Sequence, residues 1–272
     1  FYIPTNAWVM LANLGLYDAT GKQKYLDSAK NEMSILLNNC KNNNTRCLWT
    51  LVQMSKLYKT TNNLDYLENI KKFANRLIEI KTEEGAMMKG IEAREFAIVY
   101  DLTRDEKYLT ESLNRLKMAE EYLKSEQLLY TVNGLQVRDY VCSEELAKLE
   151  LYKATGDKKY LVEVRNFFNS ADIGNHGRTF WGLTAIQPCI ETLFLLYEET
   201  GDVKYWEQTY NITQYMITYR WDSPIEEAKK YNGDGAFLFD AYQYNNTKTV
   251  TDTAYAIYLL SLMKDTKFQI VS

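Results

Sequence analysis

The sequence predicts an all-α protein made of repeated helical hairpins, and two observations carry that prediction. One short pattern recurs from end to end, and the stretches between its copies alternate between apolar and charge-striped segments of helical length. The pattern is Leu16-Tyr17-x-x-Thr20, Leu57-Tyr58-x-x-Thr61, Val99-Tyr100-x-x-Thr103, Leu151-Tyr152-x-x-Thr155, Leu196-Tyr197-x-x-Thr200 and a degenerate Leu262-Met263-x-x-Thr266. In the first five copies a second aromatic follows the tyrosine by eight residues, at Tyr25, Tyr66, Tyr108, Tyr160 and Tyr205. Successive threonines lie 41, 42, 52, 45 and 66 residues apart. A period of roughly 40 to 50 residues with one fixed internal spacing is that of a two-helix repeat.

Each unit reads as an inner helix, a tight turn and an outer helix. The inner helices are expected at 7–18, 46–59, 90–101, 140–153, 185–198 and 250–264, and the outer ones at 22–38, 64–80, 105–124, 158–169 and 203–219. Gly21, Gly156 and Gly201 fall just past an inner helix, where a left-handed residue closes the last turn. Asn62 takes that slot in the second unit, and Asn tolerates the conformation next best. Asp157 and Asp202 follow at the next helix start, where a side-chain oxygen caps free amides. The inner segments are apolar almost all round, as in Ala7-Trp8-Val9-Met10-Leu11-Ala12, whereas outer segments such as Glu68-Asn69-Ile70-Lys71-Lys72 carry a charged stripe. A helix apolar around its circumference is buried and a striped one lies at the surface. The repeated tyrosines read as packing anchors within each hairpin.

Six inner and five outer helices are expected to close into an α/α toroid spanning residues 1–272 as a single domain. An open superhelix of tetratricopeptide type is the rival, but its units are near 34 residues and nearly constant. Here the units are longer and expand unequally between an outer helix and the next inner one. Long loops on one end of a rigid scaffold are where function usually sits.

The composition, 46% hydrophobic and 25% charged, is that of a folded globular chain. Its 32 basic residues are scattered among 36 acidic ones for a net charge of −4, which disfavours nucleic acid as a partner. No apolar run approaches the roughly 18 residues a bilayer crossing requires. The chain opens on Phe1 rather than Met, so it is expected to be the mature or C-terminal part of a longer protein. Cys40 and Cys47 bracket a polar loop and read as a disulfide. Sequons stand at Asn43, Asn211 and Asn245. Together these predict an extracellular or cell-surface location. Cys142 and Cys189 read either as buried small residues or as a second bridge between neighbouring hairpins.

The turn wording Leu-Tyr-x-x-Thr-Gly-Asp-x-x-Tyr-Leu, at Leu151 to Leu161 and nearly so at Leu196 to Trp206, resembles that of α/α-toroid carbohydrate-active enzymes. These include unsaturated glucuronyl hydrolases, other glycosidases and uronate lyases, and sugar 2-epimerases. The resemblance implies a pocket at the mouth where the inner helices begin, with a poly- or oligosaccharide as partner and no cofactor. It identifies no catalytic residue, because fold alone does not fix a reaction. His176 is the one histidine, which excludes a two-histidine epimerase mechanism. The cysteines lack metal-ligand spacing, so no metal is expected.

The residues at the expected inner-helix starts form a constellation suited to sugar. Carboxylates serve as acid, base or nucleophile at a glycosidic bond, arginine forks hold uronate carboxylates by paired hydrogen bonds, and flat rings stack on pyranose faces. Asp139, between Arg138 and Tyr140, is the candidate acid/base, with Asp240 or Asp252 as its partner across the ring. Arg138, Arg178, Trp181, Trp49, Tyr242 and Glu92 are the candidate substrate-binding residues. A lyase or epimerase variant uses Tyr140 or His176 as proton carrier. Asp139 and Asp252 are also natural helix caps, which leaves open a non-catalytic module that binds glycan or protein.

Overall fold

The computed structural model describes residues 5–40, 50–80, 85–125, 129–132, 135–138, 142–170, 182–217 and 250–263. Eleven helices occur among the described residues, and each overlaps one expected from the repeat. They are α1 (Thr5–Thr20), α2 (Gln23–Asn39), α3 (Leu51–Thr61), α4 (Leu64–Glu79), α5 (Ala86–Thr103), α6 (Glu106–Ser125), α7 (Ser143–Thr155), α8 (Lys158–Ser170), α9 (Gly182–Thr200), α10 (Val203–Ile217) and α11 (Val250–Leu262). The chain divides into two compact units, one of residues 1–67 with 217–272 and one of residues 68–216.

The repeated pattern is a turn whose every letter has a bonding role. The threonine hydroxyl donates back to the carbonyl four residues earlier, as in Thr155 to Leu151 at 2.6 Å, and its oxygen accepts the amide of Asp157 at 3.2 Å. The next residue turns left-handed and donates its amide to the tyrosine carbonyl. Gly21, Asn62, Arg104, Gly156 and Gly201 all do so at 2.7 Å, with φ between 53 and 74°. Orphan carbonyls at the helix end are thereby satisfied. Arg104 is the departure: a side chain stands where glycine serves elsewhere, and its guanidinium donates to the Ala154 carbonyl at 2.6 Å and pairs with Asp101 at 2.9 Å.

The capping role of Asp157 and Asp202 holds. Their Oδ1 atoms accept the amides of Lys159 at 3.0 Å and Lys204 at 3.2 Å, and Asp105 does the same for Lys107 at 3.2 Å. Those lysines return to the aspartate and lie over the next ring, 4.7 Å from Tyr108, 4.6 Å from Tyr160 and 4.7 Å from Tyr205. The three tyrosines are buried. Tyr108 donates its phenol to Asn75 Oδ1 at 3.0 Å and Tyr205 to Asn169 at 3.3 Å, so these anchors reach from one outer helix to the one before it.

Within the first unit, α1 packs in parallel against α11. Trp8 stacks on Tyr255 with ring centroids 4.4 Å apart, and Gly15 leaves room for Ser261 near the other end. Lys56 of α3 pairs with Asp18 at 3.1 Å and lies 4.8 Å from the Tyr258 ring.

In the second unit the parallel pair is α5 with α7. A Cβ on Gly90 would lie 2.6 Å from Ser143 Oγ and 2.9 Å from the Ser143–Glu144 backbone. Ala93 and Ala97 continue that seam against Ala147 and Leu151, with Leu116 and Tyr160 closing the cluster. Small residues at 90, 93 and 97 let the two backbones approach closely. Cys142 and Cys189 are joined by a disulfide with Cα atoms 5.0 Å apart, tying the start of α7 to α9. Cys40 is also disulfide-bonded, while Cys47 lies outside the described residues.

One segment differs from expectation. Instead of leading directly into an inner helix from residue 140, the chain forms a hairpin of β1 (Leu129–Val132) and β2 (Leu135–Arg138), with Val132 opposite Leu135, and α7 begins only at Ser143. Asn133-Gly134 between two strand-forming runs is the sequence signal for such a hairpin.

Gly156 has open space about its α-carbon, so Gly156→Ala is expected to cost about 1 kcal/mol by backbone strain alone. Gly90→Ala collides with backbone and is expected to cost about 1–3 kcal/mol. Cys142→Ser opens a loop of sequence separation 47 and is expected to cost about 2–4 kcal/mol. Denaturant midpoints of the three variants against the parent check all of these.

Candidate functional site

Helix α7 is buried on every side through its first two turns: all seven residues from Ser143 to Leu149 are buried, including Glu144, Glu145 and Lys148. The cause is its surroundings. The seam to α5 presses on one flank, α9 is tied to it by the disulfide, and α6 and α8 also pack against it. A charge cannot turn away from such a helix, so charges there must find one another.

Lys148 is where they meet. Its ammonium lies 2.8 Å from Glu144, 3.3 Å from Glu145, 3.5 Å from Glu163 of α8 and 3.6 Å from Glu120 of α6. One cation therefore serves four carboxylates. Burial alone would lower the Lys148 ammonium, but the carboxylates of Glu145, Glu144 and Glu120 outweigh it and hold the group above its ordinary range. The carboxylates are left short of positive charge. Burial pushes the Glu145 carboxyl up to about 7; Lys148 opposes this, and Glu144 and Glu163 add to it. The upward push of both partners is thus consistent, because the lysine is shared and Glu145 has only part of it. Free amides at the helix start favour a carboxylate by about 0.3–1 kcal/mol, whereas the rise from 4.5 to about 7 corresponds to about 3 kcal/mol. Desolvation wins.

Two polar atoms on this turn are left over. Glu145 Oε2 and Ser143 Oγ are buried and meet no hydrogen-bond partner among the described residues. Buried polar atoms are overwhelmingly paired in native proteins, so among the described residues these two oxygens are exceptions.

Two further ion-pair clusters are centred on α5, at Arg94 and Glu92. Arg94 grips Glu191 of α9 with both terminal nitrogens, at 2.5 and 3.1 Å, and lies 3.6 Å from Glu150. Glu92, expected to bind substrate, is fully buried with its Oε2 between Lys89 at 3.3 Å and Arg115 at 3.2 Å. Its Oε1 has no hydrogen-bond partner among the described residues.

The other sequence-derived candidates fall as follows. Arg138 ends strand β2, opposite Leu129, and Asp252 lies in the first turn of α11. Asp139, Tyr140, His176, Arg178, Trp181, Trp49, Asp240 and Tyr242 lie outside the described residues, as do Asn43 and Asn245. Asn211 is exposed on α10, with Thr213 of its sequon buried. No group of three metal-ligating side chains and no helix long and apolar enough to cross a membrane occurs among the described residues.

The sequence reading missed Glu144, Glu145, Lys148 and Glu191. In isolation Ser143-Glu144-Glu145-Leu146-Ala147-Lys148 resembles a solvated helix face with charges three and four apart. The available signal was its place in the repeat, which puts that helix in the inner layer.

No protein-family model and no curated protein matches the sequence. Solved structures do match. A glycoside hydrolase family 76 α-1,6-mannanase from a Salegentibacter species gives a TM-score of 0.67 at 14% identity, over 96% of this chain and 89% of that one. A family 76 α-mannanase from Bacteroides thetaiotaomicron gives 0.68 at 14%, over 94% and 84%. The fold is an α/α toroid. A sugar epimerase from a ruminal bacterium shares it as well, with a TM-score of 0.67 at 10% identity over 97% of this chain and 87% of that one. The toroid predicted from the repeat is thus matched by carbohydrate-active enzymes, with family 76 α-mannanases among them where the turn wording pointed to glucuronyl hydrolases. Likeness at these identities establishes the fold.

The raised Glu145 carboxyl has a consequence for stability. The folded protein keeps this proton up to about pH 7, whereas an ordinary glutamate releases it near 4.5. Between those values the folded state binds more protons, so unfolding free energy falls as pH rises. Glu145→Gln removes the titration and is expected to gain up to about 3 kcal/mol relative to the parent on going from pH 4.5 to pH 8. Urea unfolding of both proteins across that range measures it.

Proposed function

We propose that the chain is a secreted carbohydrate-active enzyme, a glycosidase that cleaves its glycan through paired carboxylates. The observation that carries the reading is the toroid fold shared with α-mannanases over nearly the whole chain. In this reading Asp139 is the acid/base, Asp240 or Asp252 is its partner, and Trp181, Trp49 and Tyr242 are stacking platforms, with Glu92 among the binding residues. Arg138 and Arg178 hold the charge of an acidic or uronate-containing glycan. One α-1,6-mannanase of the same fold is an inactive variant, with two consecutive aspartates replaced, bound to α-1,6-mannotetrose. This chain has no consecutive aspartates; at the start of its inner helix α7 it has Glu144-Glu145. A neutral mannan is therefore the second substrate class to try.

Secretion is supported by the Cys142–Cys189 bridge and by the bonded state of Cys40, since disulfides persist in oxidising compartments. The sequons at Asn43, Asn211 and Asn245 fit the same location. The sugar epimerase of the same fold favours one alternative chemistry, proton transfer by Tyr140 or His176 on a free sugar.

The test is to incubate the protein with α-1,6-mannan, with uronate-containing polysaccharides and with free sugars, following new reducing ends and epimer ratios. New reducing ends are expected, and Asp139→Asn is expected to lower their rate about 100- to 10,000-fold. Epimerisation without new ends supports the alternative, and binding without turnover supports a non-catalytic module. Equal rates in Asp139→Asn and the parent rule out the Asp139 assignment.

A further inference from the structure

We propose that Asn211 carries an N-linked oligosaccharide and that the sugar is added before α10 folds, an inference that rests on the secreted location proposed above. Asn211-Ile212-Thr213 is an acceptor triplet, and it falls inside α10, within Val203–Ile217. Burial along that helix follows the helical period. Tyr205, Thr209, Ile212 and Thr213 are buried, each between 0 and 2% exposed. Glu207, Tyr210 and Asn211 are exposed on the other face. Asn211 therefore presents its amide to solvent from an outer helix, where a bulky hydrophilic group is compatible with the packing beneath.

The same geometry sets the order of events. Transfer requires the asparagine amide and the threonine hydroxyl two residues on to meet the enzyme together. Each residue of an α-helix turns the chain by about 100°, so positions two apart face directions about 200° apart. Asn211 faces outward, while Thr213 beneath it is 0% exposed. No enzyme approaching the folded helix from solvent reaches both groups. An extended or locally turned chain has no such conflict. The triplet is thus usable only while α10 is unformed, and folding closes it. Tyr205 reinforces the closure, because its buried ring and its phenol bond to Asn169 fasten α10 to α8.

The step balances with one co-reactant, an oligosaccharide carried on a lipid pyrophosphate. The Asn211 Nδ2 atom attacks C1 of the first sugar, and a C–N bond forms. The C1–O bond to the pyrophosphate breaks with its electron pair on that oxygen. The amide gives up one proton to solvent, and the lipid pyrophosphate departs. Nothing is oxidised or reduced.

The test has two arms, and both use the whole chain. In the first, a cleavable secretory leader directs the chain through a eukaryotic secretory pathway. Released protein is treated with a glycan-removing amidase in heavy-oxygen water, and its peptides are weighed. Asn211 is expected to appear as labelled Asp, and secreted Asn211→Gln is expected to lack one glycan by intact mass. In the second arm, chain made without sugar is given purified oligosaccharyltransferase and the lipid-linked oligosaccharide, either folded or reduced, alkylated and unfolded. Modification of Asn211 is expected to be about 100-fold or more slower in the folded chain, because it waits on local opening of α10. Released, disulfide-bonded protein without sugar at Asn211 overturns the proposal while the secreted location stands. Equal rates on the folded and unfolded chains overturn the order of events. A chain that is not released, or that is released without the Cys142–Cys189 bridge, overturns the secreted location and this inference together.

Discussion

Close approach of two backbones governs the second unit. Where Gly90, Ala93 and Ala97 meet the first turns of α7, no side chain is large enough to hold the helices apart. Helix α7 is consequently enclosed, and charges that would be solvated on an outer helix are forced into mutual contact. Lys148 and its four carboxylates follow from that enclosure, as does the upward push on the Glu145 carboxyl. Replacing the small residues would relax the crowding and with it the electrostatics, so packing and chemistry are coupled at this point.

The outer layer is held by a different device. In all five turns a threonine closes the helix behind it and a left-handed residue satisfies the tyrosine carbonyl, and in the last three an aspartate, Asp105, Asp157 or Asp202, caps the next helix. The lysine bound to that aspartate also covers the next aromatic ring. Each contact is worth little where it is exposed. Their repetition in register, with Tyr108 and Tyr205 reaching back to the preceding outer helix, sets the spacing of successive hairpins.

This local chemistry explains why the architecture was legible in the sequence. A turn whose residues have defined bonding roles leaves recognisable letters, and eleven helices could be placed from them. Arg104 was not anticipated as a left-handed residue, because its conformation depends on Asp101 and on the Ala154 carbonyl 50 residues away. The hairpin at 129–138 has a signal in Asn133-Gly134, but the sequence reading treats those residues as the approach to an inner helix at 140. The candidate site was less visible still. Whether Glu144, Glu145 and Lys148 face water or one another is decided by Gly90, Cys189, Glu120 and Glu163, and no spacing within α7 encodes them. Arg94 likewise reads as a spare cation until Glu191, 97 residues on, is placed beside it.

The Cys142–Cys189 bridge also bears on how the chain withstands proteolysis. It makes a covalent cycle of α7, α8, the segment between α8 and α9, and the first turns of α9. A protease that cuts once anywhere inside that cycle produces two polypeptides that remain joined. The cut ends stay tethered beside their packing partners, and the nicked molecule keeps its connectivity until a reductant reaches the sulfurs.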